Sequence, residues 1–381
     1  MPNGHASYEP TVSAVLPCRN EEASLGHSIE QLQNTFSQNG ISGEIIVSDS
    51  SNDSSPEITL KYNARLIKHN LPGYGRAYIE GFKAARGKYI FCADPDGSYD
   101  FTELPKFIKE LENGFDLVIG NRFKGKIEKG SMPWIRRYIG NPLLSSVLRL
   151  FFGAKISDAH CGMRAIRREA LEKINLQTEG MEFASEMIIK ALKNGMRIKE
   201  IPIDYYKRIG KSKLRAFPDG WRHLRLMLLL SPFFLFFIPG FLMLIFGGVI
   251  HSWLYVGSSA IFGIPLFFHP MFISSLLIIV GYQTIIFAFF AKSYAILHLG
   301  ETSEFINALH SRIKLETGIM IGLALLTIGA IMFVRIFLEW IYSGFGELNE
   351  IKNALTALIL ATLGVETIFS SFMLSIIGFK K

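Results

Sequence analysis

A chain of 381 residues, 49% apolar, with a mean hydropathy of +0.27 and a net charge of +7, is long enough for two domains and too apolar to be soluble throughout. Its three isolated cysteines, Cys18, Cys92 and Cys161, exclude a disulfide framework and lack zinc spacing, so a reduced, cytoplasmic setting is expected for the first domain. The charge favours a membrane surface over nucleic acid, because no Lys, Arg, Asp or Glu occurs from Leu226 to Ala291 and basic residues cluster just before that stretch.

Met1–Thr11 is polar, so no signal peptide is expected there. Residues 1–226 have ordinary globular composition and residues 227–381 read as a membrane domain. In chain order, Val12–Pro17 predicts a first strand, with Cys18-Arg-Asn20-Glu21-Glu22 at its carboxyl end. A helix over about Ser24–Gln38 follows, then a strand over Glu44–Ser48 and the polar run Asp49-Ser-Ser-Asn-Asp53-Ser-Ser-Pro56, suited to cap a helix. Ala64–Lys68 is a third apolar run. It leads through Gly73-Tyr-Gly75-Arg76 into a helix ending near Gly87, and then to the strand Tyr89–Ala93. The alternation predicts an α/β fold with a mostly parallel sheet and helices on both faces.

The fourth strand ends in Asp94-Pro-Asp96-Gly97. Two carboxylates there face the crevice in which open α/β sheets bind ligands. Hard oxygen donors suit Mg²⁺ or Mn²⁺ shared with substrate phosphates. A solvated Asp-Pro-Asp-Gly turn accounts for the same residues.

Asp116–Phe123 is a further strand ending at Arg122, and Arg136-Arg137-Tyr-Ile-Gly-Asn141 leads into an apolar helix, Leu143–Phe152. That helix is too short to span a bilayer, so it either lies in the lipid surface or packs on the membrane domain. Arg122 and Arg137 suit a lipid monophosphate, since Arg offers phosphate paired N–H groups; ordinary juxtamembrane basic residues are the alternative. Glu200–Arg208 reads as a strand leading into Gly210-Lys211-Ser-Lys213, where Arg208, Lys211 and Lys213 can close over a diphosphate.

This ordered set resembles the inverting family-2 glycosyltransferases with a GT-A (Rossmann-like) fold over Thr11–Leu226. More narrowly, it looks like the dolichyl- or polyprenyl-phosphate hexose synthases. The resemblance implies that Pro17, Asn20 and Glu22 line a nucleotide-sugar pocket and that the Asp49 loop holds base and ribose, with Ser48 and Ser50 departing from the family pattern. It implies that Arg76 packs beside the donor, that Asp94 lies nearer the ribose and that Asp96 is the more direct metal ligand. Arg122, Arg137 and Asn141 take the acceptor-phosphate positions, and Arg208, Lys211 and Lys213 those of a loop over the diphosphate. Asp158-Ala-His-Cys-Gly162-Met-Arg164 and Glu182-Phe-Ala-Ser-Glu186 match further family segments. The activity implied is transfer of one hexose from GDP-mannose or UDP-glucose to a polyprenyl or dolichyl phosphate. A processive polysaccharide synthase of the same fold is the alternative, although its Gln-x-x-Arg-Trp motif is missing; an inactive lipid-carrier scaffold or translocator is a third.

Four spans are expected, at about Phe233–Tyr255, Met271–Ala291, Gly318–Ile341 and Asn353–Phe379. Lys292, Arg312, Lys314, Lys380 and Lys381 fall on one side, and Glu347 and Glu350 on the other. The positive-inside rule then puts the catalytic domain and both termini in the cytoplasm, on a plasma (inner) membrane. Glu366 lies within span four; it lines a route for the lipid head group, or it bonds a neighbouring helix or the partner in a homo-oligomer.

Overall fold

Val12–Cys18 (β1), buried at every residue, is the strand about which the first half is built. Apolar on both faces, it needs helices above and below, as parallel strands do. In a computed structural model describing residues 9–210, 215–257, 260–261, 264–265, 268–298 and 315–378, β1 pairs in parallel with Gly43–Asp49 (β2) and Tyr89–Cys92 (β4). β2 pairs with the edge strand Arg65–Lys68 (β3). Beyond β4 lie Leu117–Asn121 (β5), Arg164–Arg167 (β6) and Ile198–Pro202 (β7), in the order β3-β2-β1-β4-β6-β5-β7. β6 runs antiparallel to both its neighbours, whereas β7 is parallel to β5.

The chain winds outward from β1 through β2 to β3 and then crosses back to β4. The carboxyl ends of β1 and β4 therefore form the topological switch point, where such sheets open a crevice. Helices Glu22–Gln38 (α1), Ser55–Lys61 (α2), Tyr74–Ala84 (α3) and Leu104–Glu112 (α4) make the connections. α1 buries Leu25, Ile29, Leu32 and Phe36, one stripe at helical spacing. Under β4, Phe91 meets Phe101 and Phe107 edge-on at centroid distances of 6.2 and 5.6 Å. Burying each such ring contributes roughly 1.5–3 kcal/mol.

A π-helical turn, Arg136–Gly140, runs into Asn141–Phe152 (α5). Arg168–Ile174 (α6), Phe183–Lys193 (α7) and Ala216–Leu229 (α8) complete this half. One strand stands where the sequence assigned no element, and one expectation needs correction. β6, which begins at the Arg164 that closes a family segment, takes its form from the two strands that flank it. The strand expected over Glu200–Arg208 ends at Pro202, because the residues beyond it turn to serve the site.

The chain divides into two compact units, Met1–Met227 and Leu228–Lys381. Among its described residues the second holds four helices long and apolar enough to cross a membrane, Phe233–Val256, His269–Ile296, Leu315–Tyr342 and Ile351–Ile377. They lie within the helices Ile238–Val256 (α9, entered through the turn Phe233–Phe237), His269–His298 (α10), Leu315–Tyr342 (α11) and Ile351–Gly378 (α12). Small residues set their spacing, as expected where lipid removes the hydrophobic drive. A Cβ on Gly322 of α11 would come within 2.8 Å of the Gly364 carbonyl of α12, and one on Gly281 of α10 within 2.6 Å of the Leu244 nitrogen of α9. His251 on α9 bonds Ser274 at 3.3 Å and Thr356 at 3.0 Å. Glu366 keeps one buried carboxylate oxygen without a hydrogen-bond partner among the described residues. Arg312, Lys314, Lys380 and Lys381 lie outside the described residues.

Candidate active site

The β4 strand delivers Asp94 and Asp96 at its carboxyl end. Asp96 Oδ1 accepts the Ser98 N–H at 2.9 Å and the Ser98 hydroxyl at 2.5 Å. This tight turn needs Gly97 at φ +77. Asp94 lies against Gly162, where a Cβ would stand 2.6 Å from Oδ2. Burial, and then the Asp96 charge, push the Asp94 carboxyl up to about 7, opposed by the Tyr74 hydroxyl and Arg208.

Arg208 closes this acidic corner. Its Nη2 lies 2.9 Å from Glu21 Oε1 and its Nε 3.3 Å from Asp96 Oδ2. The extended segment after β7 carries it there, because Tyr206 N–H donates to the Ser98 carbonyl at 3.0 Å and Ile209 N–H to the Asp96 carbonyl at 2.8 Å. The two carboxylates raise the guanidinium pKa against its burial.

Two cavities flank Arg208. One, of about 350 Å³, is lined by Asn20, Glu21, Glu22, Asn52, Asp53 and Gly210 among others. Its walls are the loops after β1 and β2, laced together by Asn52 N–H to Asn20 Oδ1 at 2.9 Å and Ser54 N–H to Glu22 Oε2 at 3.1 Å. Asn20 sits at φ +55, a conformation that Asn tolerates better than most residues. The other cavity, of about 800 Å³, has Arg208 and Gly210 in its wall. Its polar lining is cationic, from Arg122, Arg136, Lys207 and Arg215, with Asp219 the one acid among its described lining residues. The remainder is largely apolar, from Met132, Ile139, Leu144, Phe217 and Trp221. Leu143 and Phe217 of this lining are exposed, Phe217 by 89%, as are Trp134 and Tyr138, which neighbour lining residues in the chain.

Residues 13–175 match the model of glycosyltransferase family 2, and residues 289–378 match that of the family-2 C-terminal transmembrane region. A low-salt glycan biosynthesis hexosyltransferase of Haloferax volcanii is 38% identical over 373 residues, covering 97% of this chain and 89% of the relative. The chain belongs to glycosyltransferase family 2. A dolichyl-phosphate hexose transferase of the same organism is 33% identical over 211 residues, 55% of this chain and 89% of the relative. Among solved structures, glucosyl-3-phosphoglycerate synthase of Mycobacterium tuberculosis, in complex with Mn²⁺, UDP and glucosyl-3-phosphoglycerate, aligns with a TM-score of 0.46 at 20% identity, covering 58% of this chain and 80% of that one.

The protein is a membrane glycosyltransferase with a GT-A domain, and several residues singled out in its sequence take other places than expected. Asp94, Asp96, Arg208, Asn20 and Glu22 gather at the switch point. Pro17 is buried within β1, and Asp49 is buried with its Oδ1 accepting the Ser51 hydroxyl at 2.5 Å. Neither lines the first cavity, and Asn52 and Asp53 line it instead. Arg76 is tied to Glu179 at 3.0 Å and Glu80 at 3.5 Å and lines neither cavity. Arg122 is 6% exposed, with its fork bound by Asp158 at 2.8 and 2.7 Å, so its charge is already balanced. Arg137 lies over the Tyr138 ring at 5.3 Å, outside the cavity lining, which its neighbour Arg136 enters. Asn141 lines the large cavity. Lys211 and Lys213 lie outside the described residues.

Sequence reasoning missed Arg136, Glu21 as the partner of Arg208, and the histidines of the large cavity. The tandem Arg136-Arg137 was a signal for the first of these, because adjacent residues on a helical turn point about 100° apart and only one can face inward. Among the described residues no group of three or more His, Cys, Asp or Glu is gathered to hold a metal. Two carboxylates at a strand end nevertheless fit a Mg²⁺ or Mn²⁺ whose other ligands are substrate phosphates and water.

Proposed function

We propose that this glycosyltransferase moves a single hexose from a nucleoside diphosphate sugar, GDP-mannose or UDP-glucose, to a polyprenyl or dolichyl phosphate. The observation that carries this reading is the large cavity, apolar and cationic at once, with the arginine that touches Asp96 in its wall. A lipid monophosphate has that dual character, and a polysaccharide acceptor does not. The relatives' printed activities, glycan hexosyl transfer and dolichyl-phosphate hexose transfer, support it.

The nucleotide occupies the smaller cavity, with Asn20, Glu22 and Asp53 offering acceptors and donors to base and ribose. An acceptor phosphate oxygen attacks the anomeric carbon, the bond from that carbon to the diphosphate oxygen breaks, and configuration inverts. A phosphate monoester, whose second pKa is about 6, is already mostly dianionic at neutral pH, so no general base is assigned. Arg208, exchanging its carboxylate partners for the departing diphosphate, stabilises the charge that develops there. Asp94 and Asp96 would hold Mg²⁺ or Mn²⁺, which supplies further neutralisation of the leaving group. Basic Lys292, Arg312 and Lys314 support a cytoplasmic catalytic unit on an inner membrane. Exposed Trp134, Tyr138 and Leu143 support its contact with lipid.

The test is a matrix of GDP-mannose and UDP-glucose against undecaprenyl and dolichyl phosphate, using purified full-length protein. A lipid carrying one sugar is expected. A polymeric product would replace this reading with a processive synthase, and no transfer to either lipid would refute it.

A further inference from the structure

The large cavity contains a polar group that the hexosyl transfer step leaves unused. His160, in the loop before β6, and His223, on α8, both line it. Their rings meet edge-to-face with centroids 4.4 Å apart. The Ser185 hydroxyl at the start of α7 lies 2.8 Å from His223 Nδ1 and 3.3 Å from His160 Nε2. One side chain locks this arrangement: Arg164 donates to the Ala159 carbonyl at 2.7 Å and the Cys161 carbonyl at 2.8 Å, on either side of His160. It also donates to the Ala184 carbonyl at 2.7 Å, next to Ser185. The same loop ends at Gly162, against Asp94. His160 thus stands two residues before the glycine that packs on the acidic corner.

Burial and the surrounding cations hold both imidazoles neutral, with His223 pushed down to about 4. A neutral imidazole has one N–H and one lone pair. The Ser185 hydroxyl has a single proton and can donate to only one of the rings. That ring then carries its own N–H on the nitrogen turned away from Ser185. The shorter contact makes His223 that ring, with its N–H on Nε2, while His160 donates its Nε2–H to Ser185 and keeps Nδ1 as a buried lone pair without a hydrogen-bond partner among the described residues. Arg122 in the same wall is already occupied by Asp158, and the His223 N–H adds a neutral donor to the other cations of that wall.

We infer that His160 and His223, joined through Ser185, form a head-group subsite that hydrogen-bonds an oxygen of the acceptor phosphate monoester. Resting on the lipid-phosphate reading, the subsite explains why a cavity wide enough for a lipid chain carries a fixed pair of rings in its wall. A lipid alcohol of equal length would lack the oxygens to use it. The pair thus selects the phosphorylated carrier over the free alcohol.

The experiment measures KM for undecaprenyl phosphate and KM for the nucleotide sugar separately, in wild type, His160→Gln, His223→Gln and Ser185→Ala. It adds competition of that reaction by farnesyl phosphate and by farnesol. The expected result is a rise of about tenfold in acceptor KM for His223→Gln, the loss of one hydrogen bond to a charged group, and a smaller rise for His160→Gln, which orients that ring through Ser185, with donor KM unchanged. A smaller rise is expected for Ser185→Ala, together with a reduced preference for farnesyl phosphate over farnesol as competitor. A purely structural pair would move both KM values together, and that outcome overturns the subsite. Should a histidine variant fail to fold, Ser185→Ala decides alone, since an unchanged competitor preference there also overturns it. Wild-type protein that transfers to no lipid phosphate would overturn the parent reading as well. Wild-type transfer with unaltered acceptor KM in all three variants overturns only this one.

Discussion

The two cavities beside Arg208 share one glycine and are built by opposite means. The smaller is walled by two loops, each immediately following its own buried strand, and its polar groups already satisfy one another. The larger draws on segments from Arg122 to Leu224 that no single element joins, and it mixes fixed cations with exposed aromatic rings. A site for a compact, highly polar ligand can be shaped by neighbouring strand ends. One for a ligand that is greasy along its length and doubly charged at its tip needs distant pieces of chain to meet. Arg208 stands where the two chemistries touch, and its present partners, Glu21 and Asp96, are both acids.

This contrast can be broken most decisively at Asp96. Asp96→Asn keeps the size and removes the charge, so turnover with Mg²⁺ or Mn²⁺ should drop about a thousandfold, and chelation of metal from the wild type should do the same. Undiminished transfer in either case would remove the acidic corner from the chemistry. Next comes Arg208→Ala, expected to lower kcat about a hundredfold while shifting acceptor KM much less. An effect confined to acceptor KM would move Arg208 wholly into the larger cavity. Arg136→Ala should raise acceptor KM about tenfold, whereas Arg137→Ala, outside the lining, should change it less than threefold. The reverse order would show that the sequence-based choice of Arg137 was the better one.

The gentlest effect is on stability. His223 has its folded pKa lowered to about 4 from the ordinary 6.5, by burial first and the Arg164 charge second. Between those values the unfolded chain binds the proton more readily, so stability is present above about 6.5 and is lost as pH falls toward 4. The slope is at most about 1.4 kcal/mol per pH unit. Melting curves from pH 7 to 4.5 should show it, and His223→Gln should flatten it. An unchanged slope would mean that the ring is not held neutral in the wall of the cavity.

The sequence determined the parts whose chemistry is local. Strand one is a run of apolar residues, and its burial follows from hydropathy alone. Asp94-Pro-Asp96-Gly97 states its own turn, because Gly permits the φ that the Asp96–Ser98 bonds require. Four apolar stretches set the membrane helices to within a few residues of where they lie. What only the tertiary structure decided is which charges are already balanced and which side chains become neighbours across long separations. Arg122 and Arg136 look equivalent in sequence; 36 positions downstream of Arg122, Asp158 claims its fork, and no reading of local pattern contains that. The same holds for β6, which becomes a strand because two others offer it their edges, and for His160, Ser185 and His223, which meet only after α7 and α8 have packed. Local conformation is governed by a residue's own torsions and nearest neighbours, so the sequence displays it. Charge compensation and hydrogen-bond pairing depend on distances between groups far apart along the chain, and these exist only once the fold has formed.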